Sequence, residues 1–135
     1  MSKRRTRSQL VKIMKSHDEG IYHTNAEDCM KWFRIINREV FDNKLSFPNE
    51  IDIRWRRGTY AYYESVTDTK DPLYRYSKLC MNKRYKSKKF FIEVLAHELV
   101  HHYQFMTEGV TSHGETFVNW TEKFNKKGLR LVKAY

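Results

Sequence analysis

Residues 87 to about 107 constrain the fold more than any other stretch of this chain. Phe91, Val94, Leu95, Leu99 and Val100 recur at helical spacing and make the segment apolar over much of its circumference. Such a helix must be covered on several sides, so it predicts a central, buried element around which the other elements pack. Gly109 is placed to close it.

The flanking sequence supplies that cover. Thr24-Asn25-Ala26-Glu27 has a capping-box pattern, and Cys29, Phe33, Ile36 and Val40 then mark one apolar face, predicting a helix from about 25 to 42 that stops at Asp42-Asn43. Ile51, Ile53 and Trp55 alternate with Asp52, Arg54 and Arg56, the period of a half-buried strand. Gly58 permits a turn into a second strand over 60–64, and 77–82 is a candidate third strand. Ser112-His113-Gly114-Glu115 repeats the capping-box pattern before a last helix to about 127, with Phe117, Trp120 and Phe124 on its inner face. The order helix, strands, helix, helix predicts an α+β domain, with a small three-stranded sheet against the central helix. Residues 1–20 are basic and weakly patterned and read as an arm or a loosely packed helix, leaving 21–135 as the folded domain.

Within the apolar helix lies a polar pattern, His97-Glu98-Leu99-Val100-His101. Positions four apart stack one turn above each other, so the two imidazoles can grip one ion. Glu98 points about 100° away around the helix and can reach a water on that ion without being a ligand. Burying these groups in an apolar helix is costly unless something satisfies them, and a metal does. A catalytic zinc takes three protein ligands, so a third must come from elsewhere. His113 is the best candidate, because it lies four residues before Phe117 and shares its inward face; Glu115 and Glu122 are rivals. His102 points away from His101 and is a poor ligand. These residues predict one Zn²⁺ per chain, held by His97, His101 and His113, with Glu98 as the general base of a peptidase acting on a protein substrate. An oxyanion-stabilising group is also expected, with Tyr60, Tyr62, Tyr63, Tyr74 and Tyr76 available.

The net charge of +10 favours a polyanionic partner. Lys3, Arg4, Arg5 and Arg7 crowd the start, Arg54, Arg56 and Arg57 sit together, and Lys123, Lys126, Lys127, Arg130 and Lys133 mark the end. Lys83, Arg84, Lys86, Lys88 and Lys89 immediately precede the zinc helix and are the candidate nucleic-acid contacts. Tyr85, between them, reads as a packing or loop residue. Two isolated cysteines, Cys29 and Cys80, suggest a reducing compartment, hence the cytoplasm or, for a viral protein, the host cytoplasm. No membrane association is expected, and the chain reads as a monomer.

These motifs resemble those of the SprT-like metallopeptidases. The resemblance rests on His97-Glu98-x-x-His101 followed by His113-Gly114-x-x-Phe117, and upstream on Phe41-Asp42-Asn43-Lys44-Leu45; it spans about residues 25–125. The metzincin pattern is excluded, since the sixth position after His101 is Thr107. The resemblance implies a zincin-like minimal domain with a three-histidine zinc on His97, His101 and His113 and Glu98 as the catalytic carboxylate. It also implies a protease of DNA metabolism that cleaves DNA-associated or DNA-crosslinked proteins. The chain lacks the cysteines of the C-terminal zinc ribbon found in many members, as do short forms in bacteriophages, so DNA contact is expected from the domain itself. The alternative is a basic nucleic-acid-binding protein with a structural zinc site and no proteolysis.

Overall fold

A computed structural model describes residues 8–16 and 20–131. The basic cluster at Lys3, Arg4, Arg5 and Arg7, and Lys133, lie outside these residues. The elements run α1 (Gln9–Lys15), β1 (Tyr22–His23), α2 (Ala26–Val40), β2 (Glu50–Arg54), β3 (Ala61–Thr67), β4 (Arg75–Asn82), β5 (Arg84–Tyr85), α3 (Lys88–Glu108) and α4 (Glu115–Lys126). This is the α+β architecture that the element order predicts.

Helix α3 is the axis of the molecule. Its N-cap Ser87 accepts a hydrogen bond from the Phe90 N–H. Phe91, Ile92, Leu95, Ala96, Leu99 and Val100 are fully buried. At its end Gly109 adopts φ 77°, a left-handed conformation that favours glycine, and a Cβ there would come within 3.0 Å of the Arg75 guanidinium, which would have to shift. Helices α2 and α4 and strands β3, β4 and β5 all pack on α3. Phe41, at the end of α2, joins these layers through Trp120 of α4 at 4.3 Å and Tyr103 of α3 at 5.7 Å between ring centroids.

The sheet has the order β2-β4-β3. Strand β4 runs parallel to β2, with Ile51 opposite Leu79, and antiparallel to β3, with Tyr63 also opposite Leu79. A second, two-stranded ribbon pairs Tyr22 with Tyr85 and His23 with Arg84, and was not anticipated. Tyr85 is buried; its hydroxyl donates to the Tyr60 carbonyl at 2.8 Å and accepts from the Asn82 N–H at 3.1 Å.

Several local expectations are corrected. The α2 cap is Asn25 rather than Thr24: the Asn25 side chain accepts from the Asp28 N–H at 2.8 Å, while Thr24 donates to the Asp28 carboxylate. Helix α4 begins at Glu115 with Gly114 as N-cap, so Ser112 is not its cap; its hydroxyl accepts from the Gly114 N–H instead. Strand β2 ends at Arg54, and Trp55 just beyond it is 64 % exposed, not packed inward. The arginines around it are partly neutralised, because Asp52 gathers Arg54, Arg56 and Lys78.

The turn after α2 shows why a Phe-Asp-Asn-Lys-Leu run sits there. Asp42 and Asn43 both take left-handed conformations, φ 53° and 61°, where Asp and Asn are the best tolerated residues after glycine. The Asn43 N–H returns to the Asn37 carbonyl at 2.9 Å. The Asn37 amide then pairs with both backbone groups of Leu45, each at 3.0 Å. Replacing Asn37 by Ala leaves the Leu45 N–H and carbonyl without these partners. Urea denaturation is expected to show a loss of about 1–3 kcal/mol.

Candidate metal centre

His97 and His101 lie one turn apart on α3 and are both buried. His113 lies in the turn before α4, and its side chain is exposed. The three side chains meet through the same atom. The His101 Nε2 stands 3.2 Å from the His97 Nε2 and 3.1 Å from the His113 Nε2, and the remaining pair is 3.3 Å apart. Among the described residues this is the one group of three His, Cys, Asp or Glu side chains that could hold a metal ion. Glu115 and Glu122, the rival third ligands, are exposed on α4 and outside the group.

The donor set fits zinc. At Zn–N distances of about 2.0–2.1 Å, a tetrahedral ion needs its ligand nitrogens about 3.3 Å apart, close to the spacing found here. Ligation also needs neutral imidazoles. Burial, first of all, and His113 push His101 below its ordinary range, while its hydrogen bond to Gln104 pulls the other way.

Phe117 explains the spacing of the downstream element. Four residues after His113 and fully buried, its ring lies 4.9 Å from His97, 5.4 Å from His101 and 5.0 Å from His113, centroid to centroid. One aromatic side chain therefore floors all three imidazoles and limits their rotation.

The centre opens into a cleft of about 410 Å³ lined by Thr59, Ala61, Tyr62, Tyr63, Glu98, Thr111, Ser112 and the three histidines. Glu98 is 3 % exposed and lies on the wall of this cleft. Of the five tyrosines considered from sequence, only Tyr62 and Tyr63 reach it. The phenol proton of Tyr63 is engaged. Tyr63 donates to the His102 Nδ1 at 2.7 Å, since the His102 Nε2 donates to the Ser46 carbonyl at 2.7 Å and must carry the ring proton. Burial, with Glu98 adding, raises Tyr63 above its usual range and keeps it protonated. Tyr62 accepts from Arg56 at 3.0 Å and interacts with Cys80. His102 is thus a fully buried structural residue, as its place on the helix predicts.

Nothing in the sequence pattern singles out Gln104. Its Oε1 lies 3.0 Å from the His101 Nδ1, and it also bonds Ser112 and Thr116 on either side of His113.

The basic cluster divides in two. Lys83, Arg84 and Lys86 are exposed, whereas Lys88 and Lys89 are half-buried, with Lys88 lying 4.9 Å over the Trp32 ring. Among the described residues, none of the exposed three forms an ion pair. Trp55, Tyr60, Arg84 and Lys86 share a separate groove of about 590 Å³, and Thr59 lines both this groove and the cleft. Both cysteines are free and buried, and burial together with Asp28 pushes the Cys29 thiol up to about 12, leaving it unreactive. No helix among the described residues is long and apolar enough to cross a membrane.

Phe117→Ala opens a cavity beneath the three histidines. Urea denaturation is expected to show a loss of about 3–5 kcal/mol.

No curated protein matches the chain. The model of the SprT-like family matches residues 29–134, a span that takes in most of α2, the three-stranded sheet, Glu98 and all three converging histidines. With that match and this fold, the chain belongs to the SprT-like family.

Proposed function

We propose that the chain is a zinc-dependent endopeptidase acting on DNA-associated or DNA-crosslinked proteins. The observation that carries the proteolytic part is the convergence of three imidazole Nε2 atoms on the floor of an open cleft that Glu98 also lines. A zinc ion held there supplies Lewis acidity, polarising a carbonyl and bringing the pKa of water towards neutrality. His97, His101 and His113 hold the ion, and Glu98 accepts the proton from water and passes it to the leaving amine. Its burial removes competing solvent, which strengthens its interaction with the developing charge. Strand β3, an edge of its sheet, contributes Ala61, Tyr62 and Tyr63 to the cleft wall, which suits an extended peptide.

The partner is DNA. Support comes from Lys83, Arg84 and Lys86, exposed and, among the described residues, without an ion pair, next to a groove that adjoins the cleft at Thr59. Phosphates bound there would hold a DNA-linked protein near Glu98.

Glu98→Gln is expected to retain one zinc per chain and to lose proteolysis of a casein or DNA-crosslinked substrate by about 10²-fold or more. Zinc retention with undiminished cleavage excludes Glu98 as the base. A wild-type protein that binds zinc and DNA but cleaves nothing supports the alternative, a nucleic-acid-binding protein with a structural zinc site. For the DNA contact, replacing Lys83, Arg84 and Lys86 together by Ala is expected to weaken binding and to lower the log–log salt slope by about 0.7–0.9 per phosphate lost. An unchanged slope removes these residues from the interface.

A further inference from the structure

Gln104 lies on α3, three residues after His101, and is 1 % exposed. A buried primary amide has four hydrogen-bonding sites to satisfy, and the partners found here identify which end is which. The Ser112 backbone N–H can only donate, and it points at the Oε1 at 3.1 Å, so that atom is the carbonyl oxygen. The other end, Nε2, then donates to the Thr116 hydroxyl at 2.8 Å. The same carbonyl oxygen lies 3.0 Å from the His101 Nδ1. An acceptor facing a ring nitrogen requires that nitrogen to carry the proton. His101 is therefore the Nδ1–H tautomer, and its Nε2 holds a lone pair directed at the point where the other two Nε2 atoms converge.

The neighbouring residue shows that this tautomer is imposed locally. His102 holds the opposite one, with its proton on Nε2 facing the Ser46 carbonyl and its Nδ1 accepting from Tyr63. Two adjacent imidazoles on one helix are set in opposite states by their own partners. Gln104 also ties down the other side of the centre. Ser112 immediately precedes His113, and Thr116 is in the first turn of α4, so the amide spans the turn that delivers the third imidazole.

We infer that Gln104 is a positioning residue of the metal centre, which fixes the His101 lone pair towards the ion and locks the 112–116 turn so that His113 meets it. This rests on the three-histidine metal site proposed above. The general effect of such partners is to orient a ligand and raise its basicity.

The test uses the full chain with Gln104→Met and Gln104→Glu. Methionine keeps the volume but lacks the acceptor. Glutamate keeps the acceptor, and the Thr116 hydroxyl can rotate to donate to it. Zinc affinity is measured by competition with a fluorescent chelator. Gln104→Met is expected to bind zinc about 10–100-fold more weakly than wild type, and Gln104→Glu to restore tight binding. In zinc-free protein at mildly alkaline pH, long-range proton–nitrogen correlation spectra of the imidazoles report tautomers directly. His101 is expected as Nδ1–H in wild type and Gln104→Glu but not in Gln104→Met, with His102 as Nε2–H in all three. Equal zinc affinity of wild type and Gln104→Met, or His101 as Nε2–H in wild type, overturns the inference. If wild type binds no zinc, the metal site itself fails, and the positioning role falls with it. If Gln104→Met does not fold, the wild-type spectrum and the Gln104→Glu affinity still decide.

Discussion

The structure depends on three imidazoles being brought to within hydrogen-bond distance of one another through the same ring nitrogen. Two come from one buried helix and need only the helical repeat to align. The third must be returned from beyond the helix end, so much of the neighbouring structure serves that return. Gly109 ends α3 in a conformation that other residues resist, and the loop then leads into α4. Phe117 packs under all three rings, and Gln104 clasps the turn that carries His113. A shared cation would accept a lone pair from each of the three Nε2 atoms at once.

The rest of the fold isolates this centre while leaving one side open. Aromatic side chains from α2, α3 and α4 close the back, with Phe41 packed among Tyr103, Trp120 and Phe124. Strand β3 forms one wall of the open side, and Glu98 lies in that same cleft. Positive charge is distributed around the mouth rather than within it. Asp52 absorbs Arg54, Arg56 and Lys78 on the sheet, whereas Lys83, Arg84 and Lys86 remain in solvent. On the sheet, therefore, less positive charge is left for an anionic partner than the run Arg54, Arg56 and Lys78 suggests.

What was legible in the sequence was whatever rests on local periodicity. The central helix and the i,i+4 histidines follow from helical geometry, and the alternating strands follow from the pleat; His113 joins the group from the exposed turn before α4, not from an inward helical face shared with Phe117. The remainder depends on contacts between distant segments. Which residue caps α2 or α4 is decided by where the chain leaves the helix, and both starts lie later than the capping patterns place them. The ribbon joining residues 22–23 to 84–85 is two residues long and has no period to detect. Trp55 continues the strand alternation in sequence, yet β2 has already ended. Gln104 is invisible for the same reason: a glutamine three positions after a histidine means nothing until α4 brings Ser112 and Thr116 against it.

Anomalous scattering at the zinc absorption edge, from a crystal of the protein purified without chelators, tests the central claim most directly. The account predicts a single strong peak per chain, about 2.0–2.1 Å from the Nε2 atoms of His97, His101 and His113. A folded protein with no peak there, or with the ion held by other side chains while these three rings stand apart, would contradict it.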